Sequence, residues 1–219
     1  MPAFGRRPAP DPRDANFPMR ALLPRERSAR TYRYWNASGY WVDQGDRPIC
    51  VGASWCAWLE DGPVTQGGIA PILSPERIYS EAQAVDEWPG AEPDYEGTSV
   101  RAGAKVLKTR GFITEYRWAT TLDEIVQALL EVGPVVMGTN WYSGMMDTDD
   151  EGFLHVGGTI VGGHAYKLDG VNVPARVVRG KQSWGRAWGR QGFFYLGFND
   201  LAGLLAADGE ACLAAEVRK

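Results

Sequence analysis

Cysteine, histidine and long apolar stretches are all scarce in this chain. Its 219 residues include three cysteines and two histidines, and no two cysteines have the CxxC spacing of a zinc ligand pair. With so few ligands we expect neither a metal site nor a bound cofactor. The apolar stretch Leu201–Ala207 is far shorter than the roughly 20 residues that a membrane-spanning helix requires, so we expect no contact with a membrane.

A secretory signal is also lacking, because no apolar run follows the arginines at the start of the chain. The cysteines Cys50, Cys56 and Cys212 are odd in number and have no framework spacing, so we expect reduced thiols. Both features predict a cytoplasmic protein, with a place in a larger particle as the alternative. The 27 glycines and 14 prolines indicate many turns and exclude a simple helical bundle.

The charge is unevenly distributed, although the net charge is only −4. Residues 1–33 contain eight arginines and three acidic residues, a local charge of +5 that leaves −9 on the remainder. This basic arm could bind an acidic partner, or it could pack on its own acidic body. The body carries no nucleic-acid-binding motif or basic patch, so we do not expect a nucleic-acid partner.

Start and stop signals predict helices first and strands after Pro134. The predicted helices run from near Cys50 to about Glu60, from Ser74 to about Glu87, from Thr98 or Ser99 to Gly111, and from Thr121 to Gly133-Pro134. Short β-like runs occur at Val135–Met137, His164–Val171, Arg176–Arg179, Phe193–Leu196 and Ala211–Val217. This order predicts an α+β fold with a helical lobe (about 41–133) and a β lobe (about 134–219), preceded by an extended surface arm (1–40).

An acidic segment, Asp147–Gly152, resembles the start of a calcium-binding loop. Its twelfth position is Gly158 rather than the bidentate glutamate that such loops require, so we interpret the segment as a solvated turn.

Cys50 is the cysteine best placed to be a nucleophile. It opens a predicted helix, where backbone N–H groups favour a thiolate, whereas Cys56 and Cys212 fit apolar core positions. Gln44 lies six residues before it and could donate to an oxyanion, or it could simply be a turn residue. His164 follows two glycines, which would let another chain approach closely, and could equally be a core histidine.

The residues Gln44 to Cys50, Gly163-His164-Ala165 and Gln182-Ser-Trp-Gly185, followed by a second Trp-Gly pair, together resemble the papain family of cysteine peptidases. The resemblance covers about residues 40–198, and the form of the motifs is more similar to the prokaryotic members. It implies a two-lobed fold, helical and β-barrel-like, with the active site in the cleft between the lobes and residues 41–219 as the catalytic domain.

The resemblance also implies roles for individual residues. Cys50 would be the nucleophile, His164 the acid/base, and Gln182 the residue that orients His164 beneath the shield of Trp184. Gln44 would complete the oxyanion hole.

Four further residues are implied on the substrate side of the cleft. Gly97 would hydrogen-bond the substrate backbone, and a pocket for the second residue before the scissile bond would be lined by Thr98, Gly138 and Ala165. We expect this pocket to prefer small or apolar side chains.

The chain departs from the family pattern at several points. The orienting asparagine is replaced by Gln182, whose extra methylene requires a compensating backbone or rotamer. Arg47 replaces a cysteine that is normally disulfide-bonded, and Pro48 replaces a glycine that contacts substrate. Forty N-terminal residues cannot form the usual helical prosegment, so we do not expect activation by zymogen cleavage.

Three hypotheses follow. The first is a cysteine peptidase that hydrolyses peptide or protein substrates, with attenuated activity if Gln182 orients His164 poorly. The second is a catalytically inactive papain-like module within a larger assembly. The third is related Cys–His chemistry on another amide.

Overall fold

Helices and antiparallel strands form a mixed fold in the computed structural model, which describes residues 3–35, 39–63, 73–88 and 96–216. The helices in these ranges are α1 (Cys50–Asp61), α2 (Pro75–Gln83), α3 (Val100–Thr109), α4 (Leu122–Glu131) and α5 (Phe198–Ala206). The strands are β1 (Tyr32–Tyr34), β2 (Ile113–Trp118), β3 (Val135–Tyr142), β4 (Ile160–Asn172), β5 (Val177–Lys181), β6 (Phe193–Gly197) and β7 (Glu210–Glu216). The α+β prediction is confirmed.

The strands form one sheet in the order β2-β7-β3-β4-β5-β6, with β1 paired to β4. Each of these pairings is antiparallel. The register of β3 on β4 sets Gly138 opposite Ala165 and Thr139 opposite His164, while β7 sets Glu210 opposite Gly138. The sheet therefore gathers several of the predicted site residues at one place.

Local capping explains why most helices were predictable. Ser74 and Ser99 each accept a backbone N–H at the start of α2 and α3, and Thr121 forms a capping box with Glu124 at the start of α4. Helix α2 ends at Gln83 rather than near Glu87, so the predicted end is wrong. After Gln83 the chain leaves the helix, and Asp86 then accepts hydrogen bonds from the Trp88 N–H and the Thr98 hydroxyl.

Besides β1, which lies in the arm, two elements were not predicted from the sequence. Strand β2 has a mixed burial pattern with intermediate residues at its centre, and it therefore lacks the alternation that indicates a strand. Helix α5 begins after Gly197 without a side-chain cap, so its start carries no sequence signal. The sequence Trp88–Gly97 predicts an acidic loop with two prolines, and most of this loop lies outside the described residues.

Helix α1 is buried along its whole length, from Cys50 to Asp61. Trp55 donates to the carbonyl of Val100 in α3, and Trp58 donates to the carbonyl of Pro134 before β3. The helix is thus packed between α3 and the sheet, and only its N-terminal end faces the predicted cleft.

The far end of α1 is attached to the sheet by a buried group of charges. Asp61 accepts hydrogen bonds from Lys181 at 2.6 Å and from Lys167, and all three side chains are at most 2% exposed. Burial alone would raise the pKa of Asp61, but the two ammonium groups outweigh it and lower the pKa to about 2. The aspartate is therefore ionised and joins α1 to β4 and β5.

The N-terminal arm does not lie wholly on the surface, and that prediction is wrong for the described residues. Met19 is fully buried in the main core, and β1 adds to the sheet beside β4. Arg27 pairs with Asp123 and Arg30 with Glu131, both on α4. The arm therefore packs on its own acidic body, the second of the two alternatives that the charge distribution raised.

The acidic turn at Asp147–Gly152 is closed by its own chain. Asp149 accepts the backbone N–H of Phe153 at 2.7 Å and contacts His155 at 2.9 Å. Among the described residues no cluster of three or more histidine, cysteine or acidic side chains could hold a metal ion. Within the same ranges, none of the helices combines the length and apolarity needed to cross a bilayer.

We predict that Asp61→Asn destabilises the fold by roughly 3–5 kcal/mol, because it leaves two buried ammonium groups without a carboxylate. Urea unfolding of the full chain measures the change. Asp123→Asn is the matched control, since Asp123 forms an exposed pair with Arg27 that contributes about 0–1 kcal/mol. Equal stability of the two variants would contradict a fixing role for Asp61.

Candidate active site

Cys50 is the first residue of α1, and its side chain is completely buried. The backbone N–H of Ala165 donates to its sulfur at 3.4 Å, and the N–H groups of Gly5 and Val51 also point at it. Burial nevertheless raises the pKa of the Cys50 thiol to about 11. The sulfur is therefore surrounded by donors but held as a neutral thiol in this arrangement.

The other two cysteines lie in the core, as predicted. Cys56 contacts the hydroxyl of Tyr40 and the carbonyl of Leu73, each at 3.6 Å, and burial raises its pKa to about 12. Cys212 is buried in β7, and burial raises its pKa well above the usual value. Among the described residues, neither is contacted by backbone N–H groups in the way that Cys50 is.

His164 lies in β4, directly before the residue whose N–H contacts Cys50. Its Nε2 contacts Oε1 of Gln182 at 2.6 Å, and its buried Nδ1 has no partner among the described residues. Burial lowers the pKa of His164 to about 4, with the hydrogen bond to Gln182 opposing the shift. The imidazole is thus neutral and oriented, with one nitrogen available.

Gln182 compensates for its extra length within its own backbone turn. Its Oε1 accepts the N–H of Ser183 at 2.9 Å as well as the contact from His164. The side chain therefore folds back over the next peptide unit, which brings the amide oxygen to the imidazole. This is the compensating rotamer that the sequence required.

Aromatic rings enclose the His164–Gln182 contact. The rings of Trp184 and Trp141 each lie 4.9 Å from the imidazole, measured between ring centroids. Trp188, from the second Trp-Gly pair, packs edge-on against Trp184 at 5.1 Å. Trp184 therefore lies beside the imidazole that it was predicted to shield, and Trp141 in β3, which was not predicted, lies at the same distance.

Gln44 is buried and fixed on both sides of its amide. Its Oε1 accepts the hydroxyl of Ser183 at 2.6 Å, and its Nε2 donates to the carbonyls of Arg47 and Ala3. An amide nitrogen held in this way could donate to an oxyanion, which is the role the sequence predicted. Here the carbonyl of Ala3 takes that hydrogen bond.

The backbone groups of Gly97, predicted to bind substrate, contact neighbouring residues of the chain in this structure, and that role stays a prediction. Gly97 has φ +91°, its N–H donates to the hydroxyl of Tyr79, and its carbonyl accepts from Gln83. The backbone of the neighbouring Thr98 contacts the N-terminal arm instead. Its N–H donates to the carbonyl of Gly5, and its carbonyl accepts the N–H of Arg7. The positive φ of Gly97 turns the chain so that the peptide of Thr98 faces the cleft.

What lies in the cleft is the protein's own N-terminal arm. The Phe4 ring contacts His164 at 5.9 Å and Trp184 at 6.3 Å, and Arg6 pairs in parallel with Thr98. The Gly5 N–H points at Cys50. Cys50, His164 and Gln44 therefore all contact this segment, which covers the site without forming a helical prosegment.

Glycines on both sides allow the arm to fit. A Cβ atom on Gly5 would lie 1.7 Å from the carbonyl oxygen of Pro48. A Cβ on Gly163 would lie 2.2 Å from the carbonyl of Arg6, and one on Gly162 would lie 2.5 Å from the Phe4 ring. The prediction that the two glycines before His164 admit another chain is confirmed, although nothing in the sequence indicated that this chain is the arm.

The carbonyl of Gly5, in the arm, does not face the Cys50 thiol. The Gly5 carbonyl is taken by the Thr98 N–H at 2.9 Å, while the Gly5 N–H faces the sulfur. Nucleophilic attack requires a carbonyl carbon near the sulfur. At this residue the arm therefore blocks the thiol rather than offering it a bond to cleave.

Comparison with known proteins gives a consistent assignment. No family model matches the chain. It is 25% identical over 173 residues to a cathepsin B-like cysteine proteinase 6 of Caenorhabditis elegans, covering 71% of this chain and 44% of that protein. It is also 25% identical over 164 residues to a cathepsin B-like cysteine proteinase of Schistosoma japonicum, covering 65% and 46% respectively. The chain thus spans about half the length of these relatives.

Solved structures agree on the fold. Xylellain, a cysteine protease from Xylella fastidiosa, superposes with a TM-score of 0.71 at 17% identity, covering 99% of this chain and 97% of that one. A Carica candamarcensis cysteine protease, solved in complex with E-64, gives a TM-score of 0.57 at 15% identity, with 86% and 100% coverage. The fold is that of the papain-like cysteine peptidases. The sequence matches, at 25% identity, are to cysteine proteinases and agree with this fold; similarity to the prokaryotic branch stays a prediction.

We predict that Gly5→Val displaces the arm, because the added side chain would collide with the Pro48 carbonyl. Exposure of Cys50 to water then removes part of the burial that raises its pKa, so thiolate forms at lower pH. Each unit by which the thiol pKa falls raises the thiolate fraction at pH 7 about tenfold. Iodoacetamide labelling of the full chain across pH, read by peptide mass, measures this change.

Ala15→Val is the control for this test, because it adds comparable bulk at an exposed position of the same arm. It should label like the unmodified chain. If Gly5→Val labels at the same rate and with the same pH profile as Ala15→Val, the arm does not control access to Cys50.

We also predict that Gln182→Asn lowers activity rather than raising it, because the 2.6 Å contact with His164 is made at the length of glutamine. Gln182→Ala should cost more, on the order of 100-fold in kcat, within the range that positioned proton transfer contributes. Turnover measured in the Gly5→Val background tests both variants. A gain with Gln182→Asn would instead identify Gln182 as an attenuating residue.

Proposed function

We propose that the chain is a cysteine peptidase that hydrolyses peptide bonds through an acyl-thioester on Cys50. The observation that carries the proposal is the oriented imidazole of His164, whose Nε2 is held by Gln182 and whose Nδ1 is unpartnered. A nucleophile, a base and an orienting group are the three parts that this chemistry requires.

In the proposed reaction the arm first leaves the cleft, and the proton of the Cys50 thiol passes to His164. The thiolate attacks the substrate carbonyl, and the resulting oxyanion takes the hydrogen bond that Gln44 now gives to Ala3. His164 then protonates the leaving amine as the carbon–nitrogen bond breaks. A water molecule, deprotonated by His164, hydrolyses the thioester and restores the thiol.

The alternative of an inactive module has less support, because every group that the chemistry requires is retained and Gln182 reaches His164 despite its length. Arg6, Arg27 and Arg30 of the basic arm form ion pairs within the chain, so these residues give no support to an acidic external partner. All three cysteines are free thiols, which supports a reducing compartment such as the cytoplasm as the proposed location.

Labelling with an epoxysuccinyl inhibitor tests the proposed nucleophile. We expect the full-length Gly5→Val variant to bind one inhibitor at Cys50, and we expect His164→Ala in that background to label far more slowly. Intact mass and peptide mapping report both results, and Cys50→Ala should remove labelling altogether. Equal, slow labelling of all three cysteines would sink the proposal and favour an inactive module.

A further inference from the structure

Arg47 lies at the end of the turn that carries Gln44, the proposed oxyanion donor. Its Nε donates to the carbonyl of Gln44 at 3.1 Å, and its Nη2 donates to the carbonyl of Asp43 at 3.3 Å. The backbone N–H of Arg47 donates to the same Gln44 carbonyl at 3.1 Å, and the Arg47 carbonyl accepts Nε2 of Gln44 at 2.8 Å. Arg47 therefore holds Gln44 by both its carbonyl and its side-chain amide.

The remaining end of the guanidinium is anchored outside the turn. Nη1 of Arg47 forms an ion pair with Oε1 of Glu76, the second residue of helix α2. Burial would raise the pKa of Glu76, but its own backbone N–H, the Ser74 side chain and the Arg47 guanidinium outweigh burial and lower the pKa. Glu76 is therefore an ionised anchor at the start of the helix.

The start of α2 is itself packed against the start of α1. A Cβ atom on Gly52 would lie 2.1 Å from the carbonyl oxygen of Pro75, so the two backbones meet there with no room for a side chain. Gly52 lies two residues after Cys50, and Pro75 directly precedes Glu76. The ion pair thus ties the turn to a helix that is fixed beside the candidate nucleophile.

The Gln44 amide loses a hydrogen bond when the arm leaves the cleft, because Ala3 accepts that bond in the covered state. Its other contacts are to the Arg47 carbonyl and the Ser183 hydroxyl. An oxyanion donor is effective when its hydrogen already points at the place where charge develops. In the open cleft the turn must therefore keep its shape without the arm.

A guanidinium suits this task because its donors lie in one rigid plane. Each of the three nitrogen atoms of Arg47 has a different acceptor, two in the turn and one on α2. A lysine ammonium is a compact charge on a flexible stem, so it could keep the ion pair with Glu76 but would not hold all three acceptors in the same way.

We propose that Arg47 is a positioning residue for the oxyanion hole. It fixes the turn that carries Gln44 to the start of α2 and so sets the Gln44 amide relative to Cys50. Arg47 acts through Gln44 and is not itself a catalytic residue. The inference rests on the proposed peptidase function, which it deepens.

The first test compares two reactions of Cys50 in the full-length Gly5→Val variant. Loss of a whole oxyanion donor costs about 10²–10³ in kcat, so Arg47→Ala should lower kcat for a fluorogenic peptide roughly 10- to 100-fold, with KM little changed and Arg47→Lys intermediate. Alkylation of Cys50 by iodoacetamide forms no oxyanion, so its rate should stay the same. An equal fall in both reactions would indicate general damage to the site and overturn the assignment.

Arg77→Ala is the matched control, because Arg77 is an exposed arginine of the same helix that pairs with Glu81. It should leave both the kcat and the alkylation rate unchanged.

A double-mutant cycle tests whether Arg47 acts through Gln44. Once Gln44 is changed to Ala, no amide remains to be positioned, so adding Arg47→Ala should lower kcat little further. If Arg47→Ala causes the same fold-loss with and without Gln44, its effect does not pass through the oxyanion hole, and the proposal is wrong.

Hydrogen exchange measures the turn directly and needs no peptidase activity. The N–H groups of Gln44 and Arg47 are both hydrogen-bonded in the turn. In Arg47→Ala, peptides that cover residues 43–49 should exchange roughly 10-fold faster than in Arg77→Ala, the range for losing hydrogen bonds from a charged group. Peptides from α3 should exchange at the same rate in both variants.

The outcomes separate the two proposals. Peptide cleavage with an unchanged kcat in Arg47→Ala, or unchanged exchange of the turn, overturns the role of Arg47 and leaves the peptidase standing. Absence of cleavage by Gly5→Val, together with faster exchange of the turn in Arg47→Ala, overturns the peptidase and supports Arg47 as the residue that fixes the turn.

Discussion

The complete burial of helix α1 is the constraint on which the rest of the structure depends. A helix with no exposed face needs a packing or hydrogen-bonding partner on every side. Here Trp55 and Trp58 of the helix donate to the carbonyls of Val100 in α3 and of Pro134 before β3. Its last residue, Asp61, is held between two lysines of neighbouring strands. With the body and the far end immobilised, the first residue, Cys50, has a fixed position at the cleft.

The chemical state of the site depends on the arm more than on the catalytic groups themselves. Cys50 and His164 have shifted pKa values in opposite directions, and burial is the main cause of both shifts. Because Phe4 and Gly5 supply part of that burial, the neutral thiol and neutral imidazole belong to the covered cleft. An uncovered cleft would let water and the donors around the sulfur favour the ion pair.

Much of the site could be predicted because short motifs carry both local geometry and chemistry. The turn before Cys50 and the Trp-Gly pairs after Gln182 are local features, and the sheet then brings them together. The arm could not be predicted in this way, because its fit depends on distant backbone atoms such as the carbonyl of Pro48 facing Gly5. The ion pair of Arg6 with Glu210 could not be predicted either, because it depends on the register that places Glu210 of β7 opposite Gly138.

The fold followed the same division. Capping residues made α2, α3 and α4 predictable from the sequence. Helix α5 has no side-chain cap and strand β2 has no clear alternation, so these two elements depend on tertiary packing. The contact of the arm with the backbone of Thr98, rather than with that of Gly97, has a similar origin. A glycine with positive φ is visible in the sequence, but which peptide it turns toward the cleft depends on how Tyr79 and Gln83 hold it.

The arm that fills the cleft is covalently part of the chain, and this has a consequence for competition. A tethered ligand acts at an effective concentration that is commonly in the millimolar range for short flexible connections, whatever the concentration of the protein. A free peptide at micromolar concentration would therefore compete poorly with residues 3–7, even if it bound equally well. Cutting the connection would turn the same segment into a dilute, dissociable ligand, so one cleavage in the arm would change the balance without altering any contact in the cleft.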